Sequence, residues 1–372
     1  MRLAFISEYL FPYIKGGAER RFWEIARRLA KRHEVHYYTA YLPNFPSKEF
    51  EVEGVMIHSY GFWNAVGKLI TPFLFSILTP VKLGYADVYI FNQFPPTTTL
   101  FSIHRLPQRG CVYCVHELWD KKIWRMHAGK FLGAIGFLSE KKLYKNRRIW
   151  FECLSSHLKN VLTSFGISRD HIAIIPNGVD LKFIKQIKSD ERVYGRVIFV
   201  GRLFPHKKVD WLIMACKELY DEGFEIELHI VGDGVYQVKN MIRKYSIRYD
   251  WLYYHGPLAD KECFRLIKSS WVFVLPSQLE GESIVLLEAL ACGTPVITTN
   301  APLNFSRIWV PKAGGIVVEN SIKGIKKGIR NLLDEETWKF YTKIANEYVK
   351  VRDWEMIAKK AEKFYTKISR AS

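Results

Sequence analysis

Glu280 and Glu288 are two carboxylates eight positions apart, on either side of a glycine turn and a helix start in the run Glu280-Gly281-Glu282-Ser283-Ile284-Val285-Leu286-Leu287-Glu288. Carboxylates in such a setting accept hydrogen bonds from the hydroxyls of a polyol, and a helix start offers N–H groups to a phosphate. The preceding Trp271-Val272-Phe273-Val274-Leu275 reads as a buried strand that Pro276 ends. Ser283 offers a capping hydroxyl to a helix that runs to Cys292, Gly293 and Pro295. In this arrangement Glu280 reaches sugar hydroxyls, Glu288 lies more than one turn on and reaches ribose hydroxyls, and the N–H groups at Ser283 and Ile284 face a phosphate. Taken alone, the two glutamates fit a solvated acidic loop ahead of an ordinary amphipathic helix better. The rest of the chain shifts that balance.

Three other places at the carboxyl ends of expected strands carry chemistry, and ligands of open α/β sheets gather at such ends. Lys15-Gly16-Gly17-Ala18-Glu19 follows the first strand, and its glycine pair opens a helix and admits close backbone approach. In Gly201-Arg202-Leu203-Phe204-Pro205-His206-Lys207-Lys208, Arg202 can meet a diphosphate as a fork and Lys207 as a point charge. His116-Glu117 stands at a strand tip, where a histidine serves either structure or catalysis. Val231-Gly232-Asp233-Gly234 and His255-Gly256-Pro257-Leu258 close two further strands with glycine turns, and backbone groups of the second can read a nucleobase. The chain has no Asp-x-Asp, Walker-type Gly-Lys-Ser/Thr or Gly-x-Ser-x-Gly, which lowers the metal-carboxylate, ATPase and serine-hydrolase readings. Arg202, Lys207 and the helix start are then left to neutralise a diphosphate.

These residues need strands to carry them. Strand-like and helix-like segments alternate from end to end, which predicts parallel sheets with crossover helices. Strands are expected at 3–7, 35–39, 55–59, 88–91, 111–115, 150–154 and 172–175, then at 197–200, 227–231, 252–254, 271–275, 295–298 and 315–318. A helix over 18–32 carries Phe22, Ile25, Ala26, Leu29 and Ala30 on one stripe and arginines on the other. The polar stretch 182–192, after the turn Pro176-Asn177-Gly178-Val179-Asp180, marks the domain boundary. The expected domains are 1–186 and 187–352. A final helix over 353–372 packs back onto the first.

At 372 residues, 48% of them hydrophobic, the chain is long enough for two cores and too apolar for disorder. Its start reads as a strand rather than a signal peptide. The longest apolar segment, 69–81, is interrupted by Pro72 and Pro80 and is too short to span a bilayer. The six cysteines lack disulfide or zinc spacing, since Cys111 and Cys114 face opposite sides of one strand. A cytoplasmic protein, peripheral at the inner face of the cell membrane, is the expectation. Of the formal charge of +18, about +12 falls in residues 1–186. There Lys121, Lys122, Arg125, Lys130, Lys141, Lys142, Lys145, Arg147 and Arg148 are interleaved with Trp119, Trp124, Phe131, Phe137 and Trp150. That mixture suits an anionic membrane surface, and equally a solvated basic face.

Taken in order, Gly16-Gly17-Ala18-Glu19-Arg20, Pro176-Asn177-Gly178-Val179-Asp180, Val200-Gly201-Arg202-Leu203 with Lys207, Val231-Gly232-Asp233-Gly234 and the stretch 280–297 resemble the retaining glycosyltransferase family 4. The resemblance covers most of the chain. It implies the GT-B fold, two Rossmann-like doubly wound parallel-sheet domains facing a cleft. It also implies transfer of a hexosyl group from a nucleotide diphosphate sugar (UDP, GDP or ADP) to an acceptor hydroxyl of a glycan or lipid-linked molecule. By resemblance His116 and Glu280 are catalytic, while Gly17, Arg202, Lys207, Ser283 and Ile284 hold the donor diphosphate. Glu280, Gly281, Glu282 and Glu288 hold the donor sugar and ribose, and Gly256 and Leu258 lie near the nucleobase. No metal or other cofactor is implied, and no nucleic-acid partner. The family commonly has Phe-Gly where this chain has Glu282-Ser283, and a carboxylate at 282 is unfavourable beside a diphosphate unless it points away. A nucleotide-sugar epimerase and a basic nucleic-acid-binding protein are the alternatives.

Overall fold

The computed structural model describes residues 1–14, 16–61, 71–107 and 110–371; Lys15 and positions 69–70 of the apolar segment lie outside them. The chain divides into two compact units, one of residues 1–177 with 354–372, the other of residues 178–353.

The first unit is built on eight strands: β1 (Arg2–Ile6), β2 (Glu34–Ala40), β3 (Glu49–Val52), β4 (Val55–Tyr60), β5 (Val88–Phe91), β6 (Cys111–Val115), β7 (Trp150–Cys153) and β8 (Ile172–Ile174). They form one sheet in the order β3-β4-β2-β1-β5-β6-β7-β8, parallel except for the edge strand β3. The central strands are continuous apolar runs because helices cover both faces. The helices are α1 (Gly17–Leu29), α2 (Thr71–Lys82), α3 (Pro96–Ser102), α4 (Lys121–Tyr144) and α5 (Ser156–Ser164). The C-terminal helix Trp354–Ala371 lies beside α1, where Glu362 accepts from Arg32 at 2.7 Å.

The arginines of α1 do not form the solvated stripe that periodicity suggests. Arg21 and Arg28 are buried. Arg21 donates to the carbonyl of Pro176 at 2.9 Å and pairs with Glu152 on β7, whose other oxygen accepts from Tyr365 of the C-terminal helix at 2.7 Å. Partners at Nη1 and Nη2 make the buried guanidinium tolerable, although its Nε is buried without a hydrogen-bond partner.

The second unit begins earlier than the polar stretch suggests. Asp180 caps a short helix, α6 (Leu181–Gln186), by accepting from the Phe183 N–H, and Ile184 is buried in the core of the second sheet. Val179 bridges to Asp353, so residues 178–186 belong with this unit. Its strands are β9 (Val193–Val200), β10 (Glu227–Val231), β11 (Leu252–Gly256), β12 (Ser270–Leu275), β13 (Leu279–Glu280), β14 (Val296–Thr299), β15 (Leu303–Asn304) and β16 (Gly315–Val318). Six of them form a parallel sheet in the order β11-β10-β9-β12-β14-β16, and β13 pairs with β15 separately. The helices are α7 (Val209–Asp221), α8 (Tyr236–Arg248), α9 (Asp260–Ser269), α10 (Ile284–Ala291), α11 (Ser306–Trp309), α12 (Ile322–Leu333) and α13 (Glu335–Val349); the C-terminal helix of the first unit is α14.

Strand order reverses between β9 and β12, which run side by side while the chain proceeds outward from each in opposite directions. The loops after these two strands therefore flank the switch point of the second sheet, where open α/β sheets bind ligands. In the first sheet the reversal lies between β1 and β5.

Candidate active site

In the second unit the loop after β9 and the segment after β12 meet. The Gln278 N–H donates to the carbonyl of His206 at 2.8 Å, and Lys207 Nζ pairs with Glu280 Oε1. Lys207 and Glu280 are both largely buried, so this cation and this carboxylate oppose each other with little water between them. The sequence assigns one to the diphosphate and the other to the sugar; the fold places them in contact. Arg202 is exposed, with its guanidinium over the Phe204 ring at 5.3 Å.

The backbone carrying Arg202 needs Gly232. At φ +140°, a Cβ added to Gly232 would sit 1.9 Å from the carbonyl oxygen of Gly201. The two glycine turns therefore press backbone against backbone at the ends of β9 and β10, and only glycine fits.

Glu280 is held in turn by a buried polar framework that local sequence does not announce. Its carbonyl accepts from the Phe305 N–H at 2.8 Å. The fully buried Asn304 donates to the Ser277 carbonyl at 3.1 Å, Thr298 Oγ1 at 2.8 Å and the Thr299 carbonyl at 3.0 Å, and accepts from the Ser306 N–H at 3.2 Å. Ser306 Oγ donates to the Gly281 carbonyl at 3.4 Å and accepts from the Ser283 N–H at the same distance. The β13–β15 pair is thus fixed by tertiary hydrogen bonds, not by strand propensity.

Ser283 occupies the N-cap position of α10, but its hydroxyl makes no capping bond. Its φ of −70° and ψ of 118° and the contact with Ser306 take the place of that cap. Ile284 opens α10 and is buried. Glu288, on the next turn, is buried as well. Glu282 Oε1 accepts from Arg352 Nη1 at 2.9 Å, and Arg352 also bonds Tyr348. The carboxylate expected among the sugar and ribose contacts is therefore directed to a guanidinium just ahead of the last helix. Arg352 is separated from Glu282 by 70 positions, and no sequence signal pairs them.

Gly256 ends β11 and lines a depression of about 510 Å³ with Asp233, Lys239, Arg243, Tyr254 and Pro257. Leu258 packs against the core instead. The two residues expected near the nucleobase thus face different surroundings.

The first unit holds His116 and Gly17. His116 follows β6, is buried, and shares a hydrogen bond of 2.7 Å between Nε2 and Asn92 Oδ1, while Asn92 donates to Ser7 Oγ at 2.9 Å. Burial, and then the nearby Arg21 charge, lower its pKa to about 3, so the ring is neutral and Nε2–H is the donor. The Gln93 side chain accepts from the N–H groups of His116 and Glu117 at 2.7 and 3.0 Å and donates to the Glu117 carbonyl and to Glu140 at 2.7 Å. Asn92 and Gln93 thereby fix the tip of β6, a role that a pass over titratable residues misses. Gly17 is the first residue of α1, but Glu19 lies over that helix start: a Cβ on Gly16 would be 2.0 Å from Glu19 Oε2. This carboxylate opposes an anion at Gly17 in the observed arrangement. Just after β1, burial raises the Glu8 pKa to about 8, which keeps the carboxyl protonated at neutral pH.

The sequence pattern described as Glycosyl transferases group 1 matches residues 181–366, and that of Glycosyltransferase Family 4 matches residues 15–183. An uncharacterized glycosyltransferase of Methanocaldococcus jannaschii is 28% identical over 221 residues, which is 58% of this chain and 59% of that relative's length. Among solved structures, a sucrose-phosphate synthase from Thermosynechococcus elongatus superposes with a TM-score of 0.79 at 20% identity, covering 100% of both chains. The HepE protein of Anabaena in complex with UDP-glucose gives 0.73 at 16% identity, covering 98% of this chain and 100% of its own. These likenesses establish the two-sheet GT-B fold.

Proposed function

The chain belongs to the Glycosyl transferases group 1 family, and on that premise we propose that it transfers a hexosyl group from a nucleotide diphosphate sugar to an acceptor hydroxyl, with retention at the anomeric carbon. The observation that carries this reading is the meeting of Lys207 with Glu280 at the switch point of the second sheet. A cation for a diphosphate and a carboxylate for a sugar are there held side by side, ahead of the helix that carries Glu288. UDP-glucose in the similar HepE structure supports the same donor class.

When donor arrives, Lys207 exchanges Glu280 for the diphosphate, Glu280 turns to the sugar hydroxyls, and Arg202 leaves the Phe204 ring to close on the phosphates. The acceptor oxygen bonds to the anomeric carbon on the face the diphosphate leaves, and its proton passes to a phosphate oxygen as the carbon–oxygen bond to the diphosphate breaks. Arg202 and Lys207 stabilise the departing charge, and they do so without a metal ion. Neutral His116 orients the sugar through its ring. The acceptor belongs to the lipid-linked class, which a basic, aromatic first unit suits.

Thermal midpoints with UDP, GDP, ADP and their sugar conjugates, each with and without EDTA, test the reading. A ligand at about 100 times its dissociation constant adds roughly 2.7 kcal/mol. One base raises the midpoint, EDTA does not reverse the shift, and Lys207→Ala abolishes it. A shift present only with added divalent cation refutes the metal-free step; a shift that survives Arg202→Ala with Lys207→Ala refutes the site.

A further inference from the structure

The connections from β4 to β5, β5 to β6 and β6 to β7 all advance in one direction across the first sheet, so right-handed crossovers put α2, α3 and α4 on one face. The helices pack in that order, α3 against both neighbours. Phe75, Leu78, Leu100 and Leu143 turn inward to the core. The outward sides are not the polar surface that a water-facing helix layer presents. α2 exposes Phe73, Ile77 and Val81 at four-residue spacing, with Val81 65% exposed. Beyond its kink at Gly129, α4 exposes Phe131, Ile135 and Leu138, with Phe131 76% exposed. Phe101 of α3 is exposed between them.

The exposed charges within the three helices have one sign, and the exposed Asp120 stands just outside them as the N-cap of α4. Glu140 is the one acidic residue in the three helices, and it is buried, accepting from Gln93 and from Trp124 Nε1 at 3.0 Å. Lys82, Lys121, Lys122, Arg125, Lys130, Lys141 and Lys142 are all exposed. Apolar rows bordered by cations, with no exposed carboxylate among them, match a leaflet containing anionic lipid. Aromatic and aliphatic side chains enter such an interface while lysines meet its phosphates. A second copy fits poorly, because a two-fold contact through this face would set cations against cations. Among the described residues no helix is long and apolar enough to cross a membrane, so contact here means lying on the surface.

We propose that α2, α3 and α4 form a docking face for anionic membrane, with the part of α4 after Gly129 lying in the headgroup layer. This deepens the lipid-linked acceptor reading and rests on it for purpose alone, since vesicle binding is read without donor, acceptor or turnover. The test is co-sedimentation of the full chain with vesicles of equimolar phosphatidylcholine and phosphatidylglycerol and with phosphatidylcholine alone, alongside sedimentation equilibrium without lipid. The chain binds the anionic vesicles, and high salt weakens the binding. K141A with K142A lowers partitioning roughly thirty-fold, from about 1 kcal/mol per basic group. F131S with L138S lowers it as well, and both variants keep the UDP-induced thermal shift of the native chain. Absence of binding to anionic vesicles overturns the proposal. So does binding unchanged by F131S with L138S, or a native dimer that those substitutions dissociate, which would make the face a contact between copies.

Discussion

Replacing Arg352 by alanine removes the guanidinium that the Glu282 carboxylate accepts from. The Glu282 side chain is 5% exposed and Arg352 14%, and Arg352 Nη1 donates to Glu282 Oε1 at 2.9 Å. Removing one partner of a buried ion pair costs about 3–5 kcal/mol, and the partial exposure of the arginine, which lets water in, places this case near 3. Arg352→Ala also removes the bond to Tyr348, so a single variant overstates the pair, and a double-mutant cycle with Glu282→Gln isolates it. Glu282→Gln alone leaves a guanidinium that reaches solvent more easily, so it costs less, about 1 kcal/mol. The double variant recovers about 2 kcal/mol of the summed single losses. In a unit of this size each kcal/mol moves the melting temperature by about 2–4 °C, so Arg352→Ala lowers the transition of the second unit by about 6–12 °C. Scanning calorimetry of the four proteins reads this directly. The freed carboxylate lies at the N-terminus of α10, where the diphosphate is proposed to bind, so Arg352→Ala also weakens UDP binding and Glu282→Gln with Arg352→Ala restores it. A loss below about 2 °C for Arg352→Ala together with zero coupling in the cycle would refute the argument and make the pair a solvated contact.

Other expectations follow from the same geometry. Folded Glu8, with its pKa near 8, holds a proton that the unfolded chain gives up above about 4.5, so its contribution is complete below that pH and is lost as pH rises toward 8. Urea titrations show stability falling by a few kcal/mol over that window, and Glu8→Gln flattens the fall. His116, depressed to about 3, acts in the opposite sense: its neutral form stabilises above pH 6.5 and stability is lost as pH falls toward 3. Nitrogen NMR of the ring at pH 5 finds it neutral, and a protonated ring would refute its buried placement. Asn304→Ala unpairs several buried backbone and hydroxyl groups around Glu280, costs about 2–4 kcal/mol, and weakens UDP binding more than a remote variant of equal stability. Gly232→Ala drives a methyl into the Gly201 carbonyl and yields little folded protein, seen as loss of soluble expression.

The parallel strands were legible because both faces of each sheet are covered, which writes the strands as short apolar runs between turns. Strand β3 escapes that signal. Glu49 and Glu51 alternate with half-buried Phe50 and Val52, as suits an edge, and the strand exists because Glu53 and Gly54, both at positive φ, fold it back on β4. β13 and β15 are two residues each and owe their pairing to Asn304, whose partners fold locates and periodicity does not. The carboxylates and cations of the site were legible by type, since strand ends mark where chemistry gathers. Their partners were not, as Glu282 and Arg352 or Arg21 and Glu152 show: an ion pair made across many tens of residues leaves no local pattern. Arg21 is the sharper case, because its helical spacing reads as a solvated stripe until Glu152 and Tyr365 close over it.

The division of the chain has a consequence for its synthesis. Residues 178–353 are continuous, so the second unit is complete in sequence before the last helix has been made, and it can form its core as soon as it clears the ribosome. The first unit, though begun earlier, has to wait: α14 brings Tyr365 to Glu152, and until then Arg21 and Glu152 share a pocket whose lid is still being translated. The older segment is therefore the later to mature, and a nascent chain stalled before position 354 should present a protease-sensitive first unit beside a resistant second one.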